Sequence, residues 1–179
     1  MKKALLIFAI ILIALFAAIQ FNNSDNSVDF LDDELAEIES LFEKRDITNA
    51  EVSKVNVAWH LDHSLKTINR ISEQLIQSNP EVYAKSFSFQ RVVVHTTGVI
   101  PRGVAQSPNN VRPPNKILLD SLRIQLEEAK NNIEKINLLE KNAHFEHPVF
   151  NTLDKGQTKR FLNIHTNHHL NIVRDILGG

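Results

Sequence analysis

The sequence predicts an all-α protein, a four-helix bundle carried behind an N-terminal membrane anchor. Three observations carry that expectation. Apolar residues recur at spacings of three and four in four separate stretches, as one face of an amphipathic helix requires. Glycine is scarce, five residues in 179, and two of those end the chain, which suits helices better than a loop-rich sheet protein. Before the first of these stretches lies an uninterrupted apolar run.

That run, Ala4 to Ile19, follows Met1-Lys2-Lys3, the layout of an export signal or signal anchor. Extended through Phe21 it is near the lower limit for spanning a bilayer. No small-x-small cleavage pattern is evident among Ala14, Ala17 and Ala18, so an uncleaved anchor over residues 1–21 is expected. The alternative is cleavage and release to the periplasm. The lysines belong on the cytoplasmic side, which places the body beyond the inner or plasma membrane as a single-pass protein. Residues 22–28 read as a polar linker, and 29–179 as the bundle.

Within the body, Leu31, Leu35, Ile38 and Phe42 mark a first helix over Phe30 to Arg45, acidic at its start and basic at its end as the helix dipole prefers. Thr48-Asn49-Ala50-Glu51 fits a capping box, with Ser53 a rival start, for a second helix running to about Ser78 before Asn79-Pro80. Its inward stripe is Val57, His60, Ser64, Ile68, Ile71 and Leu75. His63 tracks with Asn56, Lys66 and Arg70, the expected solvent side. Residues 87–94 look strand-like, but a lone strand has no partner, so a short helix is expected there. Gly98 to Pro114 is a long irregular loop.

Lys116 to about Ala143 is the clearest helix, with Leu119, Leu122, Leu126, Ala129, Ile133 and Ile136 in strict rhythm. The same rhythm is compatible with a two-chain coiled coil, and so with a homodimer. Three other helices in need of a partner favour an antiparallel bundle. His144 to Asp154 is a connector, and the last helix starts near Asp154 or Lys155 and stops at Gly178-Gly179.

The composition excludes several functions. A net charge of −1 gives no footprint for nucleic acid. With no cysteine, disulfides, thiolate metal sites and cysteine nucleophiles are absent. No glycine-rich phosphate loop exists. Eight histidines remain as the chemistry-bearing residues. His165 and His169 stand at i and i+4 on one stripe with Leu162, Ile172 and Ile176, so their rings lie one above the other and can share one ion. His60, inward on another helix, supplies a third nitrogen. Three ligands leave an open position for a water or a substrate. The ion expected is zinc, with nickel, iron or manganese as alternatives. Each ring also has a plain reading as a core histidine hydrogen-bonded to a neighbour. His168 points to a face that becomes polar and reads as a rim residue. His63, His95 and His144 read as solvated positions, and His147 as a structural loop residue. Arg102 and Arg112, in the long loop, are candidates to meet an anionic small-molecule substrate.

Trp59-His60-Leu61-Asp62-His63-Ser64, then His147-Pro148-Val149-Phe150, then His165-Thr166-Asn167-His168-His169-Leu170 resemble the DinB/YfiT-like superfamily, nearest to its bacterial subgroup of unknown function. Gly98-Val99-Ile100-Pro101-Arg102-Gly103 with Pro108 is similar to that subgroup's proline and arginine loop. The resemblance covers about residues 45–177. It implies a four-helix bundle with a divalent metal on His60, His165 and His169. Some relatives look like thiol-dependent transferases or hydrolases. The thiols they use are cytoplasmic and this chain reads as exported, so the anchor is a departure from the usual soluble member. The expectation is a membrane-tethered metal-dependent hydrolase or transferase, or else a non-catalytic metal-binding or adaptor bundle.

Overall fold

The computed structural model describes residues 5–11, 13, 23–103 and 109–178. Residues 5–11 are helical and exposed, and are called α1. Most of the expected anchor, and Pro108 of the long loop, lie outside the described residues. No helix among the described residues is long and apolar enough to cross a membrane.

The rest is mostly helical with one small sheet. In order come α2 (Asp32–Ser40), a 3-10 turn (Phe42–Lys44), α3 (Val57–Gln77), a 3-10 turn (Pro80–Val82), α4 (Phe89–Thr97), a 3-10 turn (Asn109–Val111), α5 (Leu119–Leu138), β1 (His144–His147), β2 (Asn151–Asp154) and α6 (Lys155–Ile176). The expected connector at His144 to Asp154 is therefore an antiparallel hairpin, Phe145 opposite Leu153 and His147 opposite Asn151. Phe145 and Leu153 point into the core and Asn151 turns the corner at φ 58°. The strand-like stretch at 87–94 is helical, as expected, from Phe89 onward.

Local chemistry sets the helix ends. Asp32, Asp33 and Glu34 occupy the first turn of α2, where they complement the dipole. The cap of α3 is neither Thr48 nor Ser53 but Asn56, whose side chain accepts from the Trp59 N–H. Asp154 and Gln157 form a reciprocal capping box on α6. Gly98 closes α4 at φ 68°, the left-handed conformation a helix stop favours.

Directions follow from the contacts. Asp62 and Asn69 of α3 meet Gln125 and Asn132 of α5 in that order, so the two helices run parallel. The long link from residue 78 to 118 gives the chain room to return to the same end. His60 of α3 meets His169 of α6, while Ser78 just past α3 meets His144, which opens the hairpin and pairs with Asp154 at the start of α6, so α6 runs antiparallel to α3. The antiparallel expectation thus holds for α5 against α6 but not against α3. α2 lies along α6, tied by Glu34 to Asn163 and Asn167 and by the Glu37–Arg174 ion pair.

Leu31, Ile38, Leu65, Ile68, Leu75, Leu122, Ile136, Leu153 and Leu162 are wholly buried between these helices. Each such side chain stabilises the fold by about 1.5–3 kcal/mol. α3 is buried nearly all round, with α5 on one side and α6 and the 109–111 turn on others. Residues 23–28, expected as a linker, are pinned to the body. Asp25 N–H donates to the Gly156 carbonyl at 2.9 Å, Lys159 Nζ to Ser27 at 2.8 Å and Asn137 Nδ2 to Val28 at 2.9 Å.

Candidate metal centre

Four imidazoles meet where the N-terminal turns of α3 face the C-terminal half of α6. His60 and His63 stand one turn apart on α3, and His165 and His169 one turn apart on α6. One ligand nitrogen from each of His63, His165 and His169 lies within 4.8 Å of the other two. His63 and His169 are buried and His165 keeps part of its surface exposed. The ring centroids are 4.7 Å apart for His63 and His169, 4.7 Å for His165 and His169, and 5.2 Å for His63 and His165.

This set differs from the expected one at a single position. His165 and His169 are brought together as their spacing demands. The third ring is His63, not His60. His63 was assigned to the solvent because Lys66 and Arg70 share its side of the helix. The tertiary structure covers that side: the 109–111 turn lies over it, and the Lys66 ammonium reaches Asp62 at 2.7 Å. His63 is 3% exposed. The sequence did hold a signal for it, a second histidine pair at i and i+3 on one helix.

Hydrogen bonds decide which nitrogens can serve. His63 Nδ1 lies 2.9 Å from the Val111 carbonyl, which can only accept, so Nδ1 carries the proton and Nε2 the lone pair. His169 Nδ1 lies 3.0 Å from His60 Nδ1, and His60 Nε2 lies 3.0 Å from Ser53 Oγ. Two proton arrangements satisfy this chain. In one, His169 donates from Nδ1 to His60, and His60 donates from Nε2 to Ser53. That arrangement leaves the Nε2 lone pair of His169 for the cluster. The reverse arrangement puts a proton there instead. His60 thus acts on His169 from behind, as an outer partner that orients its ring.

Electrostatics keep the rings neutral. Burial, then the neighbouring histidines, hold His165 and His169 far below the usual imidazole range. Burial first, then His63, lowers His60 to about 4. Burial also lowers His63, against the Val111 bond, which raises it. A neutral imidazole has a lone pair to give, so no ligand must shed a proton at pH 7.

The flanking residues sort as follows. Trp59 stacks on His63, centroids 5.0 Å apart at 25°. A cleft of about 650 Å³ opens beside Trp59, lined also by Arg45, Arg112 and Lys116. Arg102 is exposed and paired with Asp175 at 2.7 Å, and its charge helps lower His60 and His168. His168 sits half-buried at the rim, 5.1 Å from the His169 ring. Asp62 is buried but its carboxylate is held by Gln125 and Lys66. His147 is structural as expected, its Nδ1 accepting from the Val149 and Phe150 N–H groups, both at 3.1 Å. His95, expected to be solvated, is fully buried, with Nδ1 2.9 Å from the Asn23 carbonyl.

Compared with known protein families, curated proteins and solved structures, the chain matches none of them.

Proposed function

We propose that the chain is a membrane-tethered four-helix bundle of the DinB-like kind that binds a divalent metal and acts as a metal-dependent hydrolase or transferase on a small molecule. The observation that carries this reading is the trio of His63, His165 and His169. Nitrogens bound to one ion at about 2.0–2.1 Å stand roughly 3.3 Å apart, so ring shifts of under about 1 Å would close the trio on it. The donor set also fits: three neutral imidazoles, one with its tautomer fixed by the Val111 carbonyl and one held at Nδ1 by His60. Zinc suits three nitrogen donors best, with nickel, iron and manganese as alternatives.

The bound ion would supply Lewis acidity at a coordination position that three protein ligands leave open. The chain's own residues do the rest. Partly exposed His165 marks the approach from solvent. His168 and Arg102 stand on the rim, where a protonatable ring and a cation can meet an anionic substrate. His60, backed by Ser53, holds the Nδ1 side of His169, so that its Nε2 faces the ion.

One observation favours a second reading, a non-catalytic metal clip. Asp62 is already held by Lys66 and Gln125, and Asp175 by Arg102, so neither carboxylate is free to act as a base. Metal would then tie α3 to α6 and add its binding energy to folding. Elemental analysis of dialysed protein tests both. About one divalent ion per chain supports them, and none sinks them. His168→Gln then separates the two. Loss of turnover on a panel of small anionic esters with unchanged metal content favours the enzyme. Unchanged behaviour throughout favours the clip.

A further inference from the structure

We infer that the end of the molecule where α6 begins is a second membrane-contact surface, on which Phe87, Phe89, Val93 and Val149 rest in the lipid interface. This rests on the membrane-tether reading above and deepens it.

Phe87 and Phe89 are 73% and 67% exposed. Val93, one turn along α4 from Phe89, and Val149, at the hairpin turn, are exposed as well. Scattered apolar residues on a surface are ordinary, but joined ones are not. These are joined by a rigid frame. Ser88 Oγ donates to the Val149 carbonyl at 3.2 Å and Asn151 Nδ2 to the Phe87 carbonyl at 2.8 Å. Between them the buried Arg91 guanidinium donates to the Phe150 and Thr152 carbonyls. Buried and without an ion-pair partner among the described residues, it holds the 86–91 segment to the hairpin while two phenylalanines stay in water.

The occupant follows from where the chain enters. Asn23 is bonded to His95 of α4, and Asp25 to Gly156 at the first turn of α6. The apolar run, when extended across Gln20 to Phe21, ends two residues before Asn23. Two residues span at most about 7 Å. Whatever holds that run therefore lies beside α4 and the hairpin. Charge agrees, because from Val82 to Leu119 the chain has no acidic residue while Lys85 is exposed. Aromatic and apolar side chains with a nearby cation are what a lipid interface accepts. Along α6 the histidine cluster stands 9 to 13 residues beyond Gly156, roughly 14–20 Å from that end at 1.5 Å per residue. The metal centre would face the space just above the headgroups.

The chain has no cysteine, so single labels can be placed without background. Full-length Phe87→Cys, Phe89→Cys and Ile124→Cys variants, each carrying an environment-sensitive fluorophore, go into phosphatidylethanolamine/phosphatidylglycerol vesicles with and without doxyl lipids. Ile124 is 69% exposed on α5, toward the opposite end. The expected result is a blue-shifted label at 87 and 89, quenched several-fold more by doxyl lipid than the label at 124. If the vesicles carry the protein on flotation but all three labels stay equally open to aqueous iodide, the contact surface is overturned and the tether survives. If the protein does not float with vesicles, both fall. If the labels at 87 and 89 are shielded from iodide in vesicles yet not quenched by doxyl lipid, a second copy covers the face and the proposal is overturned.

Discussion

The Nδ1 atoms of His60 and His169 lie 3.0 Å apart across 109 residues of sequence. That contact explains how a histidine on the inward stripe of α3 can support the candidate metal centre without being one of its three close nitrogen donors. It also separates two kinds of variant.

His169→Ala, His63→Ala and His165→Ala each remove a nitrogen from the trio and should abolish tight metal binding. His60→Ala removes only the group behind His169 and should weaken binding by about 10–100-fold, the usual effect of losing an outer partner. Isothermal titration with zinc on the four variants checks this. Complete loss in His60→Ala, with binding retained in His63→Ala, would restore His60 as the ligand.

Trp59 is the only tryptophan and stacks on His63 at 5.0 Å. Its fluorescence should therefore report metal arrival. Cobalt or nickel should quench it saturably at about one ion per chain, and zinc should shift it without strong quenching. His63→Ala should leave the emission insensitive to either ion.

Stability should fall as pH drops from about 6.5 toward 4. Burial lowers His95 and His147 to about 4 in the fold, against about 6.5 in the unfolded chain. Between those values the unfolded state binds more protons, so acid favours unfolding. The contribution is whole above pH 6.5 and is lost as pH falls through the folded pKa. His147→Asn offers an oxygen acceptor to Val149 and Phe150 in place of Nδ1 and cannot titrate. Thermal melts of that variant from pH 4 to 7 should show a shallower decline than the native chain.

Gly156 carries the neck against α6. A Cβ there would lie 3.1 Å from Ser24 Cβ and 3.2 Å from Asn26 Oδ1. Gly156→Val should push residues 23–28 off the body at a cost of about 1–3 kcal/mol, the range for overpacking. Limited proteolysis should then cut between residues 22 and 30, while zinc binding is unchanged.

Periodicity and spacing determined much by themselves. The three-four rhythm placed α2, α3, α5 and α6, because a stripe of apolar side chains must be buried whatever it is buried against. The start of α6 was legible to within a residue, near Asp154 or Lys155, and the capping box there emerged with the structure. His165 and His169 were legible as a pair because i and i+4 coincide on any helix. The hairpin at His144 to Asp154 was not legible: its short strands carry only Phe145 and Leu153 as inward residues. The histidine on α3 was not legible either. His60 and His63 lie only about 60° apart around the axis at 3.6 residues per turn. Which one reaches His165 depends on how α6 is rotated and on what covers the other side. The parallel course of α5, the cover of the 109–111 turn and the seat of the neck on Gly156 arise from contacts between residues far apart in sequence. No local pattern encodes a helix's rotation about its neighbour, so only the packed structure chose His63.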